Sequence, residues 1–268
     1  MPGMMDTILN LGINDAIAEG LAEEMGELRT ALDAHRRFLQ IYADVLMGVE
    51  PGVFEEILTL HKDRDRVTED HQLAPDTLHN VISDYKSAIR RATGADIPTD
   101  PWDQLIHATE AVFRSWNNPR ATFYRNHNGI DHAMGTVVTI MSMVYGNLGP
   151  TGGTGVLFTR NPATGERKVY GEFLSDAQGE DVVAGLRTPQ PIAALADVMP
   201  EASRQLMDLA AQLETHYHHA QDIESTIENG RLFTLQTRNA KRIPPAAVKI
   251  AVDMVAEGGI SREEALLQ

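Results

Sequence analysis

Between Asp222 and Arg238 two carboxylates, an amide and a guanidinium recur at alternate positions. If this stretch is a strand, Asp222, Glu224 and Thr226 point to one face and Ile223, Ser225 and Ile227 to the other. On a returning strand Leu232, Thr234, Gln236 and Arg238 share a face opposite Phe233 and Leu235, with Asn229-Gly230 marking the turn. A two-residue loop would set Ile223 beside Gln236 and Glu224 beside Leu235, mixing polar with apolar on both faces. A three-residue loop with Gly230 left-handed pairs Asp222 with Gln236 and Ile223 with Leu235. The second register is expected, because a slip of one residue flips every side chain. Ile223, Phe233 and Leu235 then face the core.

The other face suits a magnesium-bound nucleotide. Mg²⁺ prefers oxygen ligands and shares its sphere among one or two carboxylates, water and phosphate oxygens. Glu224 and Gln236 can supply oxygens, Asp222 can ligate the metal or position water, and Arg238 can offset charge on a transferred phosphoryl group. The plain alternative is a solvated hairpin face whose Glu-Arg pair contributes ~0 to 1 kcal/mol.

Gly146 to Gly155 forms a glycine-rich loop in which backbone amides can approach phosphate, with Thr151 and Thr154 as further donors. It is neither a Walker A loop nor a dinucleotide fingerprint, and a flexible connection explains it equally well. His216, His218 and His219 resemble a metal cluster, but the end of an amphipathic helix accounts for them. There is no HExxH or Gly-x-Ser-x-Gly motif to support a hydrolase.

These groups must be positioned by a chain of 268 residues that is 43% hydrophobic, enough to bury a substantial core. The first half reads as helical. Asn14 caps Ile17, Leu21 and Met25, with Gly26 as the stop. Leu28, Leu32, Leu39 and Leu46 mark a second helix, Pro75 to Ile89 a third, and Leu105 to Phe113 a fourth. Beyond Trp116, the stretches 121–125, 136–145, 155–160 and 168–173 are expected strands, rich in Val, Thr, Phe and Tyr. A helix from Ala202 to Tyr217 precedes the hairpin. Pro244-Pro245 opens another helix, and Ser261 with Glu264 forms a capping box for the last.

No run approaches the ~18 to 20 apolar residues that span a bilayer, and no secretory leader is apparent, so a cytoplasmic location without a membrane partner is expected. The absence of cysteine excludes disulfides and thiolate chemistry. The formal charge of -15 disfavours nucleic acid as a partner. It also means that a triphosphate needs local cations.

Five stretches carry a family resemblance: Met1 to Gly12, Ser115-Trp116-Asn117-Asn118-Pro119-Arg120-Ala121, Gly153 to Pro162, Ala177 to Gly185, and Leu235 to Arg238. In this order they closely resemble the nucleotide-binding domain of pyruvate, phosphate dikinases. The resemblance implies an α+β, ATP-grasp-like fold, a mostly antiparallel sheet with a helical subdomain in the N-terminal half. It divides the chain into 1–26, a remnant of the first ATP-grasp lobe, 27–115, the helical subdomain, 116–242, the nucleotide-binding lobe, and 243–268, helices leading towards a phosphohistidine domain.

The resemblance also implies a reaction. ATP passes its β-phosphoryl group to a histidine on a swivelling domain, phosphate accepts the γ-phosphoryl, and the phosphohistidine phosphorylates pyruvate in a distant barrel. The family's Asp-x-Glu falls on Asp222 and Glu224, and its Gln-x-Arg on Gln236 and Arg238. These four are the expected nucleotide-binding residues, with Asp222, Glu224 and Gln236 on Mg²⁺ and Arg238 catalytic. Thr154 and Gly155 fall on the phosphate loop, and Glu172 and Glu180 near the nucleotide cleft. A homodimer is possible in the parent family.

Against the family pattern, Pro150-Thr151-Gly152 replaces a more polar run and Ser225 an aromatic. Met1-Pro2-Gly3 is internal in the family and follows a segment whose lysine and arginine hold ATP phosphates. The family's phosphohistidine domain and pyruvate barrel are expected to be absent from this chain, which ends at Gln268. Because each charge-assisted phosphate contact contributes roughly 1.5 to 3 kcal/mol, weak ATP binding and no complete turnover are expected of this chain alone. The competing readings are a phosphoenolpyruvate synthase-like or antibiotic-phosphorylating fragment, and a non-catalytic nucleotide-binding or interaction module. The run Gln178-Gly179-Glu180-Asp181 favours the dikinase.

Overall fold

Asn14 accepts a hydrogen bond from the Ile17 amide at 2.8 Å and starts α1 (Asp15–Met25), which Gly26 ends in the left-handed conformation. The Glu27 carboxylate takes the first amides of α2 (Leu28–Met47), including that of Arg29 at 3.1 Å. Each later helix of this half has proline in its first turn, where the missing N–H costs nothing. They are α3 (Pro51–Asp65), α4 (Pro75–Thr93), α5 (Pro101–Ser115) and α6 (Pro119–Asn128). The computed structural model describes residues 4–179 and 187–267. They fall into two compact units, Met1–Met143 and Val144–Gln268.

Three sequence expectations for the first unit change. Helix α3 is additional: its buried positions are Phe54, Leu58 and His61, and the histidine breaks an otherwise apolar helical repeat. The stretch 121–125 is helix, not strand. The Asn118 side chain accepts from the Ala121 amide at 2.7 Å, and buried Arg125 lies 4.0 Å over the Trp116 ring, outweighing the β-propensity of Thr122 to Tyr124. The stretch 136–145 forms no ladder, and Val137, Ile140 and Met141 are exposed. A strand needs a neighbouring strand for its amides, and among the described residues none pairs with this stretch.

Charged groups fill part of this helical core. Asp33 Oδ1 accepts from Arg36 Nε and Nη2 at 2.9 and 2.6 Å, and its Oδ2 accepts from Arg37 Nε at 3.0 Å. Arg36 also reaches Asp70 Oδ2 at 3.2 Å, and Lys62 holds Asp70 Oδ1 at 2.8 Å. Burial alone would raise the pKa of Asp33, but the two guanidiniums outweigh it and hold the carboxyl well below the usual range.

The second unit is built on a five-stranded sheet: β1 (Gly153–Phe158), β2 (Tyr170–Ser175), β3 (Gln190–Pro191), β4 (Gln221–Glu228) and β5 (Arg231–Asn239). Its order is β3-β2-β1-β4-β5, and every neighbouring pair is antiparallel. Leu157, Phe173, Ile223 and Ile227 project from one face onto Leu195 of α7 (Leu195–Val198) and Leu206 of α8 (Pro200–Tyr217). The chain continues into α9 (Pro244–Ala256) and α10 (Arg262–Ala265), the latter started by the expected Ser261/Glu264 box. The architecture is α+β and ATP-grasp-like. Among the described residues no helix is long and apolar enough to cross a membrane.

Candidate functional site

The β4-β5 hairpin closes through Asn229 and Gly230, both at positive φ (49° and 77°), which makes a two-residue turn with Glu228 opposite Arg231. The expected three-residue loop is therefore incorrect. The simple two-residue register does not persist either. It runs as far as Ser225 opposite Thr234 and then shifts, leaving Leu235 as an extra residue on β5. Beyond this bulge Glu224 lies opposite Gln236 and Asp222 opposite Arg238.

The bulge resets the alternation of side chains. Leu232 lies opposite Ile227 and packs against the core cluster, whereas Phe233, opposite Thr226, shares the face of Glu224. Phe233 and Leu235 are thus not the core residues that strict alternation requires. The Arg231 guanidinium lies 4.8 Å over the Phe233 ring, and Leu235 is exposed.

Strand register extends this face across the sheet. Glu172, Val156, Glu224 and Gln236 form one row, and Tyr170, Phe158, Asp222 and Arg238 the next. Glu172 is thus on the same face, two strands from Glu224 and separated by roughly 9 to 10 Å of backbone. Thr154 and Thr226 face each other in the following row. Thr226 lies on the face that strand alternation assigns it, and the β1-β4 pairing sets Thr154 opposite it.

Arg238 Nε donates to Asp222 Oδ2 at 2.7 Å, and its Nη2 lies 3.4 Å from Glu224 Oε1. The guanidinium thus neutralises part of the acidic face. Asp222 is buried, and its Oδ1 has no hydrogen-bond partner among the described residues. An unpaired buried carboxylate oxygen is costly unless a cation or water meets it. That oxygen, the half-buried Glu224 and the exposed Gln236 amide form a hard-oxygen set that fits Mg²⁺. Among the described residues no three His, Asp or Glu are grouped for a metal, so ions here would complete their sphere with water or phosphate.

The glycine loop differs from an open cradle. The Gly149 amide donates to Asp176 Oδ1 at 3.1 Å, and the Gly152 amide to Gly149 O at 3.0 Å. Gly230 in the hairpin turn donates to Thr151 O at 2.8 Å. A Cβ on Gly152 would stand 2.6 Å from Gly146 O, so close backbone packing requires that glycine. The buried Thr154 hydroxyl donates to Ser225 O at 3.2 Å. Gly155 backs onto the core: a Cβ there would meet Glu172 O at 2.8 Å and Ile192 Cδ1 at 3.6 Å. Glu228 takes the Tyr145 amide at 2.6 Å, and burial followed by the Glu228 charge pushes the Tyr145 hydroxyl up to about 12. Sequence spacing gives no hint of these Asp176 and Glu228 straps. Glu180 and the run from Asp181 to Gly185 lie outside the described residues.

The three histidines have separate surroundings. His216 packs edge-on against Tyr217, His218 Nδ1 lies 2.9 Å from Gly259 O, and His219 Nε2 lies 2.9 Å from Arg242 Nη1.

Residues 1–200 and 196–258 match the family described as pyruvate phosphate dikinase, AMP/ATP-binding domain. The chain belongs to this family. Pyruvate, phosphate dikinase of Clostridium symbiosum is 52% identical over 269 residues, covering 100% of this chain and 31% of that protein. The Rhizobium meliloti enzyme is 51% identical over 278 residues, covering 99% of this chain and 31% of its own length. A chloroplastic dikinase of Arabidopsis thaliana is 51% identical over 266 residues, covering 99% and 28%. The chain thus spans less than a third of these dikinases.

Proposed function

We propose that this chain is the ATP-binding part of a pyruvate, phosphate dikinase, a phosphotransferase that converts ATP, pyruvate and phosphate to AMP, phosphoenolpyruvate and diphosphate. Its support is Glu224 standing opposite Gln236, beside a buried Asp222 oxygen that has no partner among the described residues. Asp222, Glu224 and Gln236 would hold Mg²⁺, which would supply charge to offset that of the phosphate oxygens. Arg238 leaves its carboxylates to meet the phosphoryl group in transfer. Glu172 lines the same face, and Thr154 and Gly155, in β1 where the glycine loop ends, hold that loop beside it. Residues 27–115 act as the helical subdomain, and 243–268 lead towards the phosphohistidine domain that passes the phosphoryl group to the pyruvate barrel. Identity near 50% to several dikinases favours this reading over a synthase-like or antibiotic-phosphorylating one.

Calorimetry with ATP and Mg²⁺ tests the assignment. Glu224→Ala and Gln236→Ala should each weaken binding by roughly tenfold to a hundredfold, the effect of losing a contact to a charged group. Binding indifferent to both substitutions, or no binding by the parent chain, would refute the assigned site.

A further inference from the structure

Within the helical unit, away from the hairpin residues in sequence, a cavity of about 370 Å³ opens among α1, α2, α4 and the segment leading into α5. Small-molecule pockets occupy roughly 300 to 1,000 Å³. Its apolar lining comes from Ile13, Phe38, Leu39 and Ile89, all buried. Of its charged lining Asp15, Arg90 and Asp96 are exposed and Lys86 is half-buried. Lys86 Nζ lies 2.6 and 2.8 Å from the Asp15 carboxylate oxygens, and Arg90 Nε lies 2.8 Å from Asp96 Oδ1. Lys86 and Arg90 are one turn apart on α4, so a single anion can reach both. Asp15 and Asp96 come from different elements, with side chains 73% and 55% exposed.

His35 completes the wall. It is buried, and its Nδ1 lies 3.6 Å from Asp15 Oδ1. Burial, then the Lys86 charge, pushes its pKa down to about 4 against the pull of Asp15, with His79 adding to the depression. A neutral imidazole retains one N–H donor and one acceptor. Ser83 and Ser87 also line the cavity.

We propose that this cavity binds a small carboxylate with an apolar body, its head group between Lys86 and Arg90 and its body on Phe38, Leu39 and Ile89. Exposed ion pairs contribute little, so exchanging an aspartate for a ligand carboxylate at either cation is inexpensive. Burial of the apolar body then favours the ligand. His35 donates to the carboxylate or to a polar substituent, which sets the preferred depth of the molecule.

The test is an amide and imidazole NMR titration of the whole chain with benzoate, in parallel with its neutral analogue benzamide. Saturable shifts at His35, Ser83 and Ser87 are expected for benzoate, with benzamide weaker by about tenfold or more. Removing both cations in K86A/R90A should weaken benzoate by a similar factor. Filling the cavity in S87W, which keeps both cations, should abolish the shifts. The proposal is overturned by equal binding of the two probes, by absence of saturable shifts at these residues, or by unchanged benzoate affinity in either folded variant. The comparison of probes needs no substitution, so it decides even if a variant fails to fold.

Discussion

Each unit contains a buried aspartate paired with arginine, and the two differ in what is left over. In the helical unit both oxygens of Asp33 are taken, one by Arg36 and the other by Arg37. In the sheet unit Arg238 takes one oxygen of Asp222, and the other is buried without a partner among the described residues. A closed set of hydrogen bonds fixes helices, whereas an incomplete one stores an unmet demand for a cation or a donor. Exposure follows the same division, for Arg36 is buried and Arg238 is partly open to solvent. Residue type alone does not distinguish the two pairs.

The strongest way to break this contrast is to remove each acid in turn. Asp33→Ala removes the buried carboxylate that Arg36 and Arg37 share, while Arg36 keeps its contact to Asp70, and should destabilise the chain by about 3 kcal/mol in urea unfolding. Asp222→Asn should cost less than about 1 kcal/mol, because it removes a charge that was only half satisfied. Equal losses would erase the distinction. Next in size is the nucleotide effect: the Glu224→Ala and Gln236→Ala losses, ~1.5 to 3 kcal/mol of binding, should come with almost no change in urea midpoint.

A smaller effect concerns pH. The folded pKa of His35 is about 4, below the ordinary value of about 6.5. The unfolded chain therefore binds more protons within that window, and stability falls as pH drops from about 6.5 to about 4, by about 1 to 3 kcal/mol. His35→Gln should flatten this part of the stability profile in thermal melts at stepped pH. An unchanged profile would assign the dependence to other groups. Smallest is the turn: Gly230→Ala, at φ 77°, should cost about 1 kcal/mol of stability in urea unfolding and leave the helical unit unaffected.

Much of the fold was legible because its signals are local. Asn14, Gly26 and the Ser261/Glu264 box each act within one turn of their own helix, and each is found as expected. The signals that failed depend on partners. Thr136 to Tyr145 has strand composition but, among the described residues, no strand to pair with, and Ala121 to Arg125 was diverted by a cap at Asn118. At the site, alternation placed Asp222, Glu224, Gln236 and Arg238 on one face, as observed, but by an incorrect register. The extra residue Leu235 offsets the shorter turn, so the polar face is restored while Leu232 and Phe233 exchange sides.

The sequence by itself determined the family, the helix ends and the set of oxygen and guanidinium groups on the hairpin, since these depend on residue identity and short-range spacing. The tertiary structure decided which aspartate is saturated and which has a free oxygen, where the bulge falls, and that His35 lines a cavity with Lys86 and Arg90. Those outcomes depend on neighbours distant in the chain, whose approach no local spacing encodes.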